Sequence, residues 1–373
     1  VDATEPALRW FPLVARARPA CAPLDVRMAA LCALAESAAQ AEDQAAASTV
    51  HNQAALLTSD VGTSALAREL CHRHATLYLR ACPLDAKAAR RALEPLVNLA
   101  RLRIREGNGA SAFDLLAALH QAVERRTDVV IDELSVPVST LVKSQDEHQE
   151  LRRWLWSVHL ADGTRALTST GNWQQALAHL RRHKGVGQRM LDGRQVAVIA
   201  HLIAGANQET LRLLAETDAD DPYEEAVTGC LAILYRRHAG QPLAASTADS
   251  VRRWQRLHPT PNLGVFHTRL GLALIDAADC RETSTARSIT VALAEQAVAA
   301  KDGFAARDIL RHGCHLPTRQ QLQLREILEA SGLGQGSIPP DLQARLRAAV
   351  ATAESVLVQN RRPAPSPRTL PMS

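Results

Sequence analysis

From Leu24 to Gln359 nearly every stretch of the chain carries apolar residues at helical spacing, interrupted only by short runs of Gly, Pro, Asp or Asn. Apolar side chains recurring every three to four positions suit the single buried face of a helix, and no series of half-buried strands stands out. The pattern predicts an all-α chain. Pro6, Pro12, Pro19 and Pro23 interrupt helical hydrogen bonding too often for a long helix, so residues 1–23 read as a proline-interrupted lead-in. Arg361 to Ser373 hold four prolines and little that could be buried, which reads as a disordered tail. Between them, residues 24–360 form the expected helical array, with a subdivision near residue 240.

Helix starts are marked by residues that satisfy free backbone donors. Ser144 with Glu147, Asp192 with Gln195 and Thr318 with Gln321 each fit a capping box. Asp221-Pro222-Tyr223-Glu224 places an acid at the cap, proline where no donor is needed, and glutamate at the positive helix end. The arginine pairs Arg125-Arg126, Arg181-Arg182 and Arg236-Arg237 fall near helix ends of opposite polarity.

Gly171-Asn172-Trp173-Gln174-Gln175-Ala176 reads G-x-aromatic-x-x-A between two amphipathic segments. A second turn glycine, Gly205, follows 34 residues later, with Ala166 recurring as Ala200, Leu177 as Leu211 and Leu180 as Leu214. Gly62 with Ala67 and Gly107 with Ala112 repeat the glycine-to-alanine offset without the aromatic residue. Over about half the chain these features resemble degenerate tetratricopeptide repeats, whose period they share. The resemblance implies an α-solenoid of stacked antiparallel helix pairs, similar to the repeat portion behind helix-turn-helix domains in actinobacterial regulators, although no helix-turn-helix unit precedes the array here.

In that family the first helix of each pair lines a concave groove. Nine positions before the turn glycines stand Gln53, Asn98 and Asp162, and six before the second and third stand Arg101 and Arg165. Clamp-type members hold a peptide carboxylate with asparagine and a basic residue of this helix, and here arginine takes the basic place. Asn52, Asp192, Arg194 and Gln195 lie on neighbouring positions and join the candidate ligand-binding set. The bland reading makes Asp162 and Arg165 an intrahelical ion pair, and Asp192 and Gln195 a cap. The implied partner is a peptide, a protein or a small effector, and the implied role is regulatory.

Composition narrows the source and compartment more than the activity. Apolar content of 46% with only 3% aromatic residues favours helix, and just four of 43 basic residues are lysines, as GC-rich bacterial coding sequence would give. A net charge of +4 is too small for a dedicated nucleic-acid binder. Seven scattered cysteines without a C-x-x-C arrangement read as reduced thiols, and no apolar run is long enough for a membrane span, so a cytoplasmic protein with no membrane partner is expected.

Chemistry is sparse. No phosphate loop, dinucleotide fingerprint or nucleophile elbow appears, so no cofactor is expected and no catalytic residue is identified. His179 and His183 stand one turn apart, but Arg181 and Arg182 between them disfavour a cation and H-E-x-x-H is absent, so no metal site is expected. The acids Asp218, Asp220, Asp221, Glu224 and Glu225 coincide with a helix start. An alternative function is an RNA-associated enzyme, such as an aminoacyl-tRNA-dependent transferase of specialised metabolism. Its candidate nucleic-acid contacts are Arg152, Arg153, Trp154 and Trp156, with Arg252-Arg253 tracking phosphates.

Overall fold

The computed structural model describes residues 2–218, 221–257, 260 and 262–359. The expected tail at 361–373 and Asp220 of the acidic group lie outside them. Among the described residues the chain forms α1 (Leu24–Gln40), α2 (Gln44–Val61), α3 (Ser64–Leu79), α4 (Ala86–Arg105) and α5 (Gly109–Arg125), then strands β1 (Val129–Ile131) and β2 (Leu134–Val136). There follow α6 (Gln145–Thr168), α7 (Trp173–Arg182), α8 (Asp192–Ile203), α9 (Asn207–Ala215), α10 (Pro222–His238) and α11 (Ala244–Arg256). The series closes with α12 (Gly264–Ala278), α13 (Ser284–Ala300), α14 (Gly303–His312), α15 (Thr318–Ser331) and α16 (Pro340–Gln359). The chain is almost entirely helical, and its consecutive helices mostly pack on each other, an architecture consistent with a helical-repeat fold. No described helix is long and apolar enough to cross a membrane.

The hairpin corrects the strand-free expectation. Val129-Val130-Ile131 pairs antiparallel with Leu134-Ser135-Val136 across Asp132 and Glu133, both at positive φ. Ile131 and Val136 are buried while Val130 is exposed. This is the alternation of a half-buried strand, too short to stand out in a helical background.

Two compact units divide the chain. The first comprises Val1–Leu24, Leu99–Glu124 and Arg152–Gln335, and the second Asp25–Asn98, Arg125–Leu151 and Gly336–Ser373. In the second, α2 packs against α3 and α16, and Met28, Val50, Tyr78, Leu93, Leu96 and Leu357 are buried without measurable exposure. In the first, a continuous core runs through α7 to α15 and includes the lead-in residues Ala7, Leu8, Phe11 and Leu13. The lead-in begins with a 3₁₀ turn at Pro6–Trp10, where proline sits at the start and sacrifices no needed donor. The α10–α11 turn at Gly240, where the sequence suggests a subdivision, lies inside the first unit.

One turn design joins helix after helix. At Gly171 the amide of the glycine donates to Thr168 and that of Asn172 to Leu167, while Ala176 donates to the carbonyl of Asn172. Shifted by 34 residues, Gly205, Ala206 and Thr210 repeat all three bonds. Gly107 and Asn108 with Ala112 do so again, as do Thr63 with Ala67 after Gly62. These glycines have φ between +71° and +97°, a conformation that costs an L side chain energy. The same turn recurs without glycine at Glu42 (φ 49°) and Lys301 (φ 48°). There the next residue is an aspartate, and Asp43 and Asp302 cap the following helix by accepting from Ala45 and Ala46, and from Phe304. The recurrence of side chains is looser than that of backbone: Ala166 and Ala200 are both buried, but Leu177 is buried and Leu211 exposed.

Two of the expected capping boxes do not form. Ser144 and Glu147 do bond reciprocally, and Asp221 does cap α10 through Tyr223. Thr318 instead lies inside α15, which begins after Pro317 without a side-chain cap. Asp192 is likewise the first residue of α8, and its Gln195 turns away to the lead-in segment.

Candidate functional site

The Asp192-Gly193-Arg194-Gln195 run is built for packing. A Cβ on Gly193 would lie 2.0 Å from the Gly185 carbonyl oxygen, so only glycine allows this approach. Gln195 has no exposed surface, accepts from the Leu13 amide at 2.7 Å, and donates to the carbonyls of Leu13 (2.6 Å) and Met190 (2.9 Å). Arg194 is buried and donates to the carbonyls of Gly187 and Leu213 and to the Thr217 hydroxyl. Asp192 pairs with Arg16. Arg194 and Gln195 therefore stand in the interior, where they satisfy backbone of the lead-in and the loop before α8, and not at a groove mouth.

Asn98 and Asn52 are joined in the second unit, the Asn98 amide donating to Asn52 Oδ1 at 3.0 Å, with Gln53 exposed beside them. In the first unit Arg101 of α4 and Arg165 of α6 converge on Asp162. Arg101 donates through Nε (3.2 Å) and Nη2 (2.8 Å) to Oδ2, while Arg165 Nη1 stands 3.5 Å from Oδ1. The aspartate side chain is only 6% exposed, the two arginine side chains 42% and 48%. One buried carboxylate thus holds two half-exposed arginine side chains side by side.

Several of the paired arginines elsewhere face carboxylates. Arg152 forms a bidentate pair with Glu124 at 3.0 and 2.7 Å, and Arg253 donates to Asp249 and Glu225. Arg252 leans on Asp249. Arg237 is no simple helix-end charge: its side chain is largely buried, donating to the Asp276 carbonyl and to Glu5. Trp154 is half-buried and Trp156 exposed.

The His179–His183 pair, read in the sequence as no metal site, is joined in the structure by residues of two further helices. His159 of α6 meets His179 and His183 at the end of α7, and each ring offers one nitrogen within 4.8 Å of the others. His120 of α5 stacks on His159 with centroids 4.7 Å apart, and Phe113 of α5 meets His179 edge-on at 5.3 Å. Gly163, one turn beyond His159, keeps the α6 surface low enough for the His179 ring, whose Nε2 would sit 3.2 Å from any Cβ there. That Nε2 donates to the His159 carbonyl at 3.1 Å.

Burial and mutual repulsion keep these imidazoles neutral. Burial first, then His179, His120 and His183, push the His159 value down to about 3. Burial lowers His120, His179 and His183 as well, with Arg152 acting on the first and Arg182 on the other two, and only Glu124 pulling His120 upward. A neutral imidazole is the metal-binding form. The signal in the sequence was half present, in the His179–His183 spacing; His120 and His159 are remote in sequence and join only through helix packing.

No protein-family model, curated protein or solved structure matches the chain.

Proposed function

We propose that this protein is a helical-repeat binding scaffold of the tetratricopeptide kind, in which Arg101 and Arg165 receive an anionic group of a peptide, protein or small effector. The observation that supports this reading is the Arg101–Asp162–Arg165 cluster, where a buried carboxylate orients two guanidiniums that stay half exposed. A guanidinium already held in place loses less freedom on binding an anion than a free one does. Planar forks side by side suit a carboxylate better than a lone lysine would. Asn52 and Asn98 offer a separate amide pair on the second unit.

The test is an array of peptides, each displayed with a free C-terminal carboxylate and as the amide. The expected result is capture that favours the carboxylate form and falls at least about tenfold in Arg165→Ala, while Arg252→Ala binds normally. Equal capture of acid and amide, or normal capture by Arg165→Ala, would sink the reading. Arg237 is unsuitable as a control because its buried bonds make alanine there a stability mutation.

A further inference from the structure

We infer that His159, His179 and His183 bind one divalent transition-metal ion of the zinc class at the junction of α5, α6 and α7. This inference is independent of the arginine cluster.

Three observations carry it. The first is convergence: three imidazoles from two helices present ring nitrogens within 4.8 Å of one another. Tetrahedral zinc with nitrogen ligands at about 2.05 Å needs donors roughly 3.3 Å apart, so a closure of about 1.5 Å completes the set. His183 is the ring best placed to supply it, because it caps the end of α7 and is only half-buried.

The second is an orphaned donor set. His159 Nδ1 and His120 Nε2 are buried without a hydrogen-bond partner. The two rings stack on each other, and Phe113 meets His159 at 5.7 Å, but these contacts leave such nitrogens unsatisfied, at a cost that buried polar atoms rarely bear. A metal ion uses lone pairs of this kind.

The third is tautomer control. The His159 carbonyl can only accept, so His179 Nε2 carries the ring proton and its Nδ1 keeps the lone pair. Backbone carbonyls play this orienting part behind metal-bound histidines. All-imidazole ligation selects zinc, nickel or copper over magnesium or calcium, which prefer oxygen. Three protein ligands also leave a fourth position on the ion. The charged groups facing the cluster are Glu124, which favours the ion, and Arg152 and Arg182, which oppose it.

The test uses the full chain without an affinity tag, stripped with chelator and titrated with Zn²⁺ against a chromophoric competitor, with Mg²⁺ in parallel. Expected are one tight equivalent of zinc, none of magnesium, and a melting temperature raised by zinc alone. Cobalt substitution should give visible d–d bands without the thiolate charge-transfer band that cysteine ligation would add. His183→Ala, at a half-buried helix end where folding is least at risk, should weaken zinc at least about tenfold and abolish the thermal shift. His159→Phe, which keeps a ring in the stack, should do the same. No tight zinc, a thiolate band, or zinc binding unchanged in His183→Ala would overturn the inference.

Discussion

Two histidine environments in the first unit show how one side chain is turned in opposite directions. At His312 the ring meets a carboxylate: Nε2 lies 3.0 Å from Asp276 Oδ1, and the same aspartate accepts from Trp10 Nε1 at 2.8 Å and from Arg281 Nε at 3.0 Å. Burial is the largest influence and lowers the His312 value, but the bonds and charges of Asp276 and Cys314 together outweigh it and the net shift is upward. Burial likewise pushes Asp276 up, yet the bonds from His312 and Trp10 win and bring it down to about 2. At His159 the neighbours are other imidazoles, nothing offsets burial, and the shift is downward. Burial alone does not decide what a histidine does. Opposite charge makes His312 part of a buried ionic network, whereas like neighbours make His159 a neutral base without an anion.

The largest way to break this comparison is to remove its anion. Asp276 has no exposed side-chain surface, so Asp276→Asn leaves the fully buried His312, and the partly exposed Arg281, facing a neutral amide. Breaking a buried pair from one side costs about 3–5 kcal/mol. Denaturant unfolding should show a loss of that order with an unchanged slope. A loss under about 1 kcal/mol would mean that the network contributes no more than a surface pair.

The pH dependence sharpens the contrast, because the two histidines have opposite signs. For His159, folded about 3 against an ordinary 6.5, neither state holds the proton at high pH. As pH falls below 6.5 the unfolded chain takes up a proton that the folded chain refuses, so stability declines until about 3. His51, lowered to about 4 mainly by burial and then by Arg73, adds to the same decline. His312, raised, contributes fully below 6.5 and loses its contribution as pH rises through its folded value. In metal-free protein, His159→Phe should flatten the acid limb of melting temperature against pH and leave the alkaline limb alone. Asp276→Asn should flatten the alkaline limb, and below about pH 4 it also removes the decline that protonation of Asp276 itself brings. Unchanged acid limbs in His159→Phe would show that the ring is already protonated in the folded protein.

Much of the fold was legible along the chain, and the reasons are local. Helical periodicity, the proline-led cap at Asp221 and the αL glycines at 62, 107, 171 and 205 all act within a few residues. The turns at Glu42 and Lys301 were not legible, because ordinary residues stand there at positive φ and the following aspartate cap is a weaker mark than glycine. Gln195 looked like a capping residue because local spacing cannot show that Leu13, remote in sequence, offers it better partners. The histidine cluster is the extreme case: one pair shares α7 and its end, but α5 and α6 contribute rings that only the fold brings near. Asp162 and Arg165 fall between, since their spacing marked one face of a helix while the approach of Arg101 depends on packing.

The smallest effects should come from Arg101 and Arg165 singly, and they place this cluster between the two histidine environments. Asp162 is as hidden as Asp308 in its own arginine pair, yet its cations are half in water, where screening limits each contact to less than about 1 kcal/mol. Arg165→Ala leaves Arg101 on the carboxylate, and Arg101→Ala leaves Arg165, so each variant should melt close to the parent. Removing both strands a buried carboxylate without either guanidinium, and that cost belongs to neither single change. The double variant should therefore lose about 1 kcal/mol or more beyond the sum of the singles in a double-mutant cycle. Strict additivity would mean that the two arginines do not share Asp162 in solution, and a guanidinium pair held by one anchor would no longer explain selective capture of a carboxylate.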